Sequence, residues 1–404
     1  MNATHHQVEC ELLQLCSRAR LDETAVARIK ELSRENPDWD YLYQLARRHA
    51  LLPMLFHHLN LAGGNLVPAD FLKRLKLIYQ ENAARNLVLT DELLSIVREL
   101  RANEIDSLPF KGPTLAKIAY GDLALRCFAD LDLIVHRRNV AAAREILITR
   151  GYRPSKELSP QQEQLLLASQ HNIQFTGDDG RLIVELHWRV APDLYSPSVN
   201  EERVWGNLET ITIHGVEVKT LPPEELILSL CVHGSRHLWE RLSWISDVAA
   251  LISRRPKIDW ERLISLAAGN GSEGMLFLGL QLAGDVCAAP LPVHVKQRIA
   301  TDGAISKLTA EIVELLFNGP ESVRLNAYRT FYYNLRVRKN WSARARYCAF
   351  AVSPSDDDLG AIALPRVLNF VYYLLRPIRL LGRRRRKRSS MAEGAVTTTS
   401  RLPQ

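Results

Sequence analysis

Two aspartates one position apart, Asp130 and Asp132, stand in the run Asp-Leu-Asp-Leu-Ile-Val over residues 130–135. Strand side chains alternate, so both carboxylates point to one face and Leu131 and Leu133 to the other. Neighbouring carboxylates repel unless a cation sits between them or one is protonated. Mg2+, which takes a few carboxylates together with substrate phosphate oxygens, fits such a pair. Alone, an Asp-x-Asp equally describes two solvated acids at a strand end.

Upstream, Phe110-Lys111-Gly112-Pro113-Thr114 reads as a strand turning into a helix. Gly112 allows close backbone approach, and a helix start offers amides to an anion. Lys111 and Thr114 add a charge and a hydroxyl for the same phosphate. Downstream, Glu185 and His187 share a face of the strand Val184-Glu-Leu-His-Trp188. An acid within an apolar strand is costly to bury unless paired or metal-bound. An edge strand with a wet polar face is the plain alternative.

Farther on, His233, His237, Glu240, Trp244 and Asp247 follow one stripe of an expected long helix. The four-residue spacing of the two histidines could seat zinc. The glutamate a zinc protease needs after the first histidine is replaced by Gly234, however. A polar interface or pocket wall is therefore the expected role. Gly234 inside a helix costs about 1 kcal/mol relative to Ala, which points to close packing there.

The elements that must position these groups change texture twice. Residues 1–105 carry three- and four-residue apolar spacings and read as helical. Residues 106–221 mix strands and helices: strands at 107–110, 130–135, 173–176 and 181–188, a helix at 139–150, and a hairpin around His214-Gly215. Residues 222–350 read as helical again, opening with one helix from Pro222 to about Ser253. Residues 351–404 form an apolar then basic tail, expected to be partly disordered.

With 404 residues, 47% hydrophobic and 24% charged, the chain is globular in composition, which excludes collagen-like and wholly disordered readings. Six scattered cysteines without a CxxC suit reduced thiols, and no signal peptide or spanning segment is expected; the expected place is the cytoplasm. The net charge of +7 belongs to the tail: Arg376, Arg379, Arg383 to Arg386, Lys387 and Arg388 carry eight charges, which leaves −1 for the rest. Nucleic acid is thus not expected as the partner. Such a tail would be drawn to an anionic membrane surface, giving peripheral contact at its inner face, or would stay a solvated end.

The order Lys111-Gly112, Asp130-x-Asp132, Glu185 resembles the nucleotidyltransferase fold of the DNA polymerase β type. Together with Tyr120-Gly121, Arg126, Gly151-Tyr152, Glu185-Leu-His187-Trp188 and the His233 to Asp247 segment, it resembles the uncharacterised bacterial nucleotidyltransferase family over about residues 85–255. One departure is Lys-Gly-Pro in the turn, where the wider superfamily has Gly-Ser or Gly-Gly. The resemblance implies an α+β fold, a small mixed-sheet core flanked by N-terminal and C-terminal helical regions. It implies Mg2+ or Mn2+ on Asp130, Asp132 and Glu185, with Glu185 a ligand or base. Lys111, Gly112, Thr114 and Arg126 would bind the triphosphate of an NTP, and His187, His233, His237, Trp244 and Asp247 would line the pocket of an unknown acceptor. A nucleoside monophosphate would pass to a hydroxyl of a small molecule, sugar, peptide or protein. A catalytically silent binding module and an Asp-x-Asp glycosyltransferase are the other readings; the second normally opens with a nucleotide-binding α/β half, which is not found here.

Overall fold

Five strands carry the expected alternation: β1 (Ser107–Pro109), β2 (Asp130–Val135), β3 (Tyr152–Pro154), β4 (Asn172–Gly177) and β5 (Ile183–His187). This computed structural model describes residues 6–156, 159–178, 180, 182–190, 201–317 and 327–351. The basic run and the apolar segment before it lie outside those residues.

The strands form one mixed sheet in the order β1-β2-β5-β4-β3. β2 and β5 pair in parallel at its centre, while the outer pairings are antiparallel. Register explains the division of faces. Leu131 lies opposite Val184 and Leu133 opposite Leu186, and these four, with Phe175 of β4, are buried in the core. On the other face Asp132 is the partner of Glu185, and His187 that of Ile134. A slip of one residue would turn every acid into the core.

A second, two-stranded sheet, β6 (Glu209–Ile213) with β7 (Val216–Thr220), turns at His214 and Gly215, both in the left-handed region with φ of 48° and 76°. That is the geometry of a tight hairpin turn. Thr220 Oγ1 donates to Pro109 O at 2.8 Å, which ties the hairpin to the end of β1.

Helices flank the sheet on both sides in sequence. The N-terminal ones run Gln7–Cys16, Glu23–Arg34, Trp39–Arg48, Leu52–Gly63 and Ala69–Ala102. Asp22 and Asp38 accept from the amides of Ala25 and Tyr41, as helix N-caps do. The fold is α+β with helical flanks, as the sequence implies. No helix of the described residues is long and apolar enough to cross a membrane.

One expected element differs. The helix from Pro222 to about Ser253 is two helices, Pro223–Arg236 and Leu242–Arg254. Leu238 and Trp239 between them adopt φ of 55° and 53°, which reverses the chain. The Trp239 amide donates to Gly234 O at 2.8 Å, and its buried ring lies against Gly234, where any Cβ would overlap it. Gly234 is thus the close-packing position its cost implied, and what packs there is the tryptophan that ends its own helix.

The chain divides into two compact units, Met1–Ser155 with Gln170–Asn340, and Lys156–Ser169 with Trp341–Gln404. Every candidate site residue is in the first. The described elements of the second are the helices Pro160–Ser169 and Trp341–Ala351.

Candidate active site

Asp132, Glu185 and His187 converge on the polar face of β2 and β5. One ligand atom from each lies within 4.8 Å of the others. His187 Nε2 is 3.2 Å from Asp132 Oδ1 and 3.3 Å from Glu185 Oε2. Lys111 Nζ donates to Asp132 Oδ1 at 3.0 Å, and Asn172 Nδ2 to Glu185 Oε2 at 2.8 Å. Asp130 shares the face one alternation before Asp132, outside that group of ligand atoms, and makes no hydrogen bond or ion pair among the described residues.

Charge is distributed unevenly over these acids. Burial alone would raise the Asp132 carboxyl, but the Lys111 ammonium and His187 outweigh it and hold it well below the usual range. Glu185 is lowered as well: burial opposes this, and the His187 ring, 3.3 Å away, prevails. Asp130 goes the other way, raised by burial and then by the charges of Asp132 and Glu185. For His187, burial favours the neutral ring, yet the two carboxylates raise it. The face therefore holds two committed carboxylates and a third that protonates more readily.

The donor set suits a divalent cation. His187 is 2% exposed, and neither ring nitrogen has a hydrogen-bond partner; the approaches to Asp132 and Glu185 lack hydrogen-bond geometry. A buried polar atom left so is costly unless something occupies it.

Gly112 sits in the left-handed region, with φ of 51°, and a Cβ would meet Asp130 O at 3.1 Å. Its close approach is thus made to β2, which it seats beside the turn. The helix it opens is a single turn, Gly112–Leu115, continued by a wider i→i+5 turn over Ala116–Tyr120. The Thr114 and Leu115 amides both donate to Lys111 O, and Pro113 has none. The free amides expected of a helix start are mostly consumed. Thr114 is fully buried, its hydroxyl without a partner.

Arg126 is committed to Asp247. Its Nε donates to Asp247 Oδ1 at 3.0 Å and its Nη2 to Oδ2 at 3.0 Å, while Tyr120 donates to Oδ1 at 2.9 Å. Arg126 Nη1 also reaches Gly112 O at 3.5 Å, so the pair braces the turn. Asn86, on the long Ala69–Ala102 helix, donates to Leu123 O and Arg126 O at 2.6 and 2.8 Å. Arg254 donates to Tyr120 O at 2.7 Å. Helices from both flanks thus hold the segment between the turn and β2.

His233, His237 and Trp244 form one aromatic group, with ring centroids 4.7, 5.2 and 5.4 Å apart. The chain reversal, rather than one helical stripe, brings them together. Burial and then the Lys111 ammonium hold His233 well below the usual histidine range. His237 is lowered to about 4 by burial and by Arg236. Both rings are therefore neutral at pH 7 and close enough to the turn to feel its charge. Neither joins a metal-ligand group among the described residues.

Sequence reasoning missed Asn172, Asn86, Tyr120 and His171. His171 stacks edge-on to His187 at 5.6 Å and meets Arg236 Nη1 at 3.2 Å. Of these only Tyr120 belongs to a motif of the family resemblance, Tyr120-Gly121. No curated protein matches the chain. A family described as uncharacterised nucleotidyltransferase matches residues 35–287, which include the sheet, the acids and both helices of the reversal, and the chain belongs to that family.

Proposed function

We propose that the protein transfers a nucleoside monophosphate from an NTP to an acceptor hydroxyl, with Mg2+ or Mn2+. One observation carries this reading: Asp132, Glu185 and His187 lie within ligand distance of each other beside Lys111, with Asp130 on the same strand face. Asp132, Glu185 and His187 hold the cation, which supplies charge neutralisation at the phosphates. Lys111 adds an ammonium toward the same phosphates. Asp130, the acid without a partner and with a raised pKa, takes the proton of the acceptor hydroxyl. Arg126 with Asp247 fixes the Gly112 turn, and the neutral His233, His237 and Trp244 rings offer a wall for base or acceptor. Pyrophosphate leaves. Such chemistry asks mainly for positioning and neutralisation, which these residues provide.

The test is incubation of the protein and a cell extract with each NTP labelled at the α-phosphate. The reading expects one acceptor to gain label with the wild type and not with Asp132→Asn. Equal labelling by both proteins contradicts it.

A further inference from the structure

His187 is the least ordinary member of the acid face, because it is an imidazole where oxygen would serve Mg2+. We infer that His187 Nε2 is a direct ligand of the cation held with Asp132 and Glu185, so that the centre takes Mn2+, a first-row transition ion, in preference to Mg2+. This rests on the nucleotidyltransferase reading only in placing a divalent cation at these acids.

Three features of the chain support it. First, the spacing is that of neighbouring ligands. His187 Nε2 stands 3.2 Å from Asp132 Oδ1 and 3.3 Å from Glu185 Oε2. Two donors about 2.1–2.2 Å from one ion, at 90–100° to each other, lie about 3.0–3.4 Å apart. Second, the ring is already fixed. The Phe110 ring stands edge-on at 5.3 Å and the His171 ring at 5.6 Å, and Phe110 and His171 are themselves buried. Third, the nitrogen has no other employment: both ring nitrogens are buried without a hydrogen-bond partner. The group that must give way is the Lys111 ammonium, on a flexible side chain that is 16% exposed.

Donor chemistry then sets the ion. Mg2+ keeps its waters and prefers oxygen ligands, whereas imidazole suits first-row transition ions. A mixed set of two carboxylates and one imidazole therefore favours Mn2+. Its affinity should exceed that for Mg2+ by about tenfold or more.

The test is pulsed electron paramagnetic resonance of Mn2+ added to the full chain, without nucleotide. Nitrogen coupling to Mn2+ is expected, changing to the 15N pattern when only histidine is 15N-labelled. His233→Gln keeps the coupling and His187→Gln loses it, along with most of the preference for Mn2+. The label experiment needs no substitution, so it stands if His187→Gln does not fold. An unmutated chain whose bound Mn2+ shows no nitrogen coupling overturns the inference, as does coupling that survives in a folded His187→Gln protein. Transfer without nitrogen coupling would leave the proposed function standing and remove this inference. Nitrogen coupling without transfer would do the reverse.

Discussion

Lys111 Nζ lies 3.0 Å from Asp132 Oδ1, so the cation of the turn already pairs with the carboxylate at the centre of the acid face. Lysine and a divalent ion compete for one oxygen. In the presence of a chelator, Lys111→Met should lose about 1.5–3 kcal/mol, the worth of a hydrogen bond to a charged group. Its rise in Tm on adding Mn2+ should exceed that of the wild type, since no ammonium need be displaced. A smaller rise, read in parallel thermal melts, would argue against competition.

The buried pair of Arg126 and Asp247 should behave as one unit. Their side chains are 13% and 3% exposed, and removing one partner strands a charge. Asp247→Ala should cost about 3–5 kcal/mol in denaturant unfolding. The Arg126→Leu, Asp247→Leu double variant should lose much less than the two single changes summed. Additive losses in that cycle would show that the two do not act together.

Gly234→Ala tests the chain reversal. The added methyl would run into the Trp239 ring, and overpacking of this kind costs about 1–3 kcal/mol. A shift in tryptophan fluorescence should accompany the loss. Trp239→Leu in the same chain should recover part of the stability lost to the methyl. An unchanged melting curve for Gly234→Ala would place Trp239 elsewhere.

What the sequence made legible followed from strict periodicity. The bounds of β2 are legible because acidic and apolar residues alternate from Asp130 to Leu133 and the β-branched pair Ile134-Val135 completes the run. The same alternation puts Glu185 and His187 on one face. The depth of His187 was not readable, because burial depends on Phe110 and His171 arriving from elsewhere. The family resemblance gives Arg126 a phosphate and Asp247 an acceptor pocket as partners. Their pairing joins the sheet segment to a helix 121 positions away, and no local signal carries that. The reversal at Leu238 and Trp239 was hidden since apolar spacing continues through it; Gly234 was the one sign. β3 is three residues with a proline at its end, too short to show alternation.

Acid should unfold the protein through its buried neutral histidines. His49 Nε2 donates to Leu316 O at 2.9 Å while its Nδ1 accepts from the Leu242 amide at 3.1 Å. Protonated, it would lose the second bond. Burial lowers its pKa from 6.5 to about 4, against the hydrogen bond to Leu316. The folded value lies below the unfolded one, so the contribution is complete above pH 6.5 and is lost as pH falls toward 4. One such group is worth on the order of 3 kcal/mol over that window. His49→Gln should be less stable at pH 7 but show a shallower fall between pH 6.5 and 4, measured by urea unfolding across pH. An equally steep fall would assign the acid limb to other groups.

The central claim is that Asp132, with Glu185 and His187 and beside Asp130, creates a seat for a cation and a nucleotide together. Thermal melting with ATP or GTP plus Mg2+ or Mn2+ tests it most directly. At a ligand concentration 100 times Kd the wild type should gain about 2.7 kcal/mol, a clear rise in Tm, while the Asp130→Asn, Asp132→Asn double variant should gain nothing. Equal rises in the two proteins would contradict the claim.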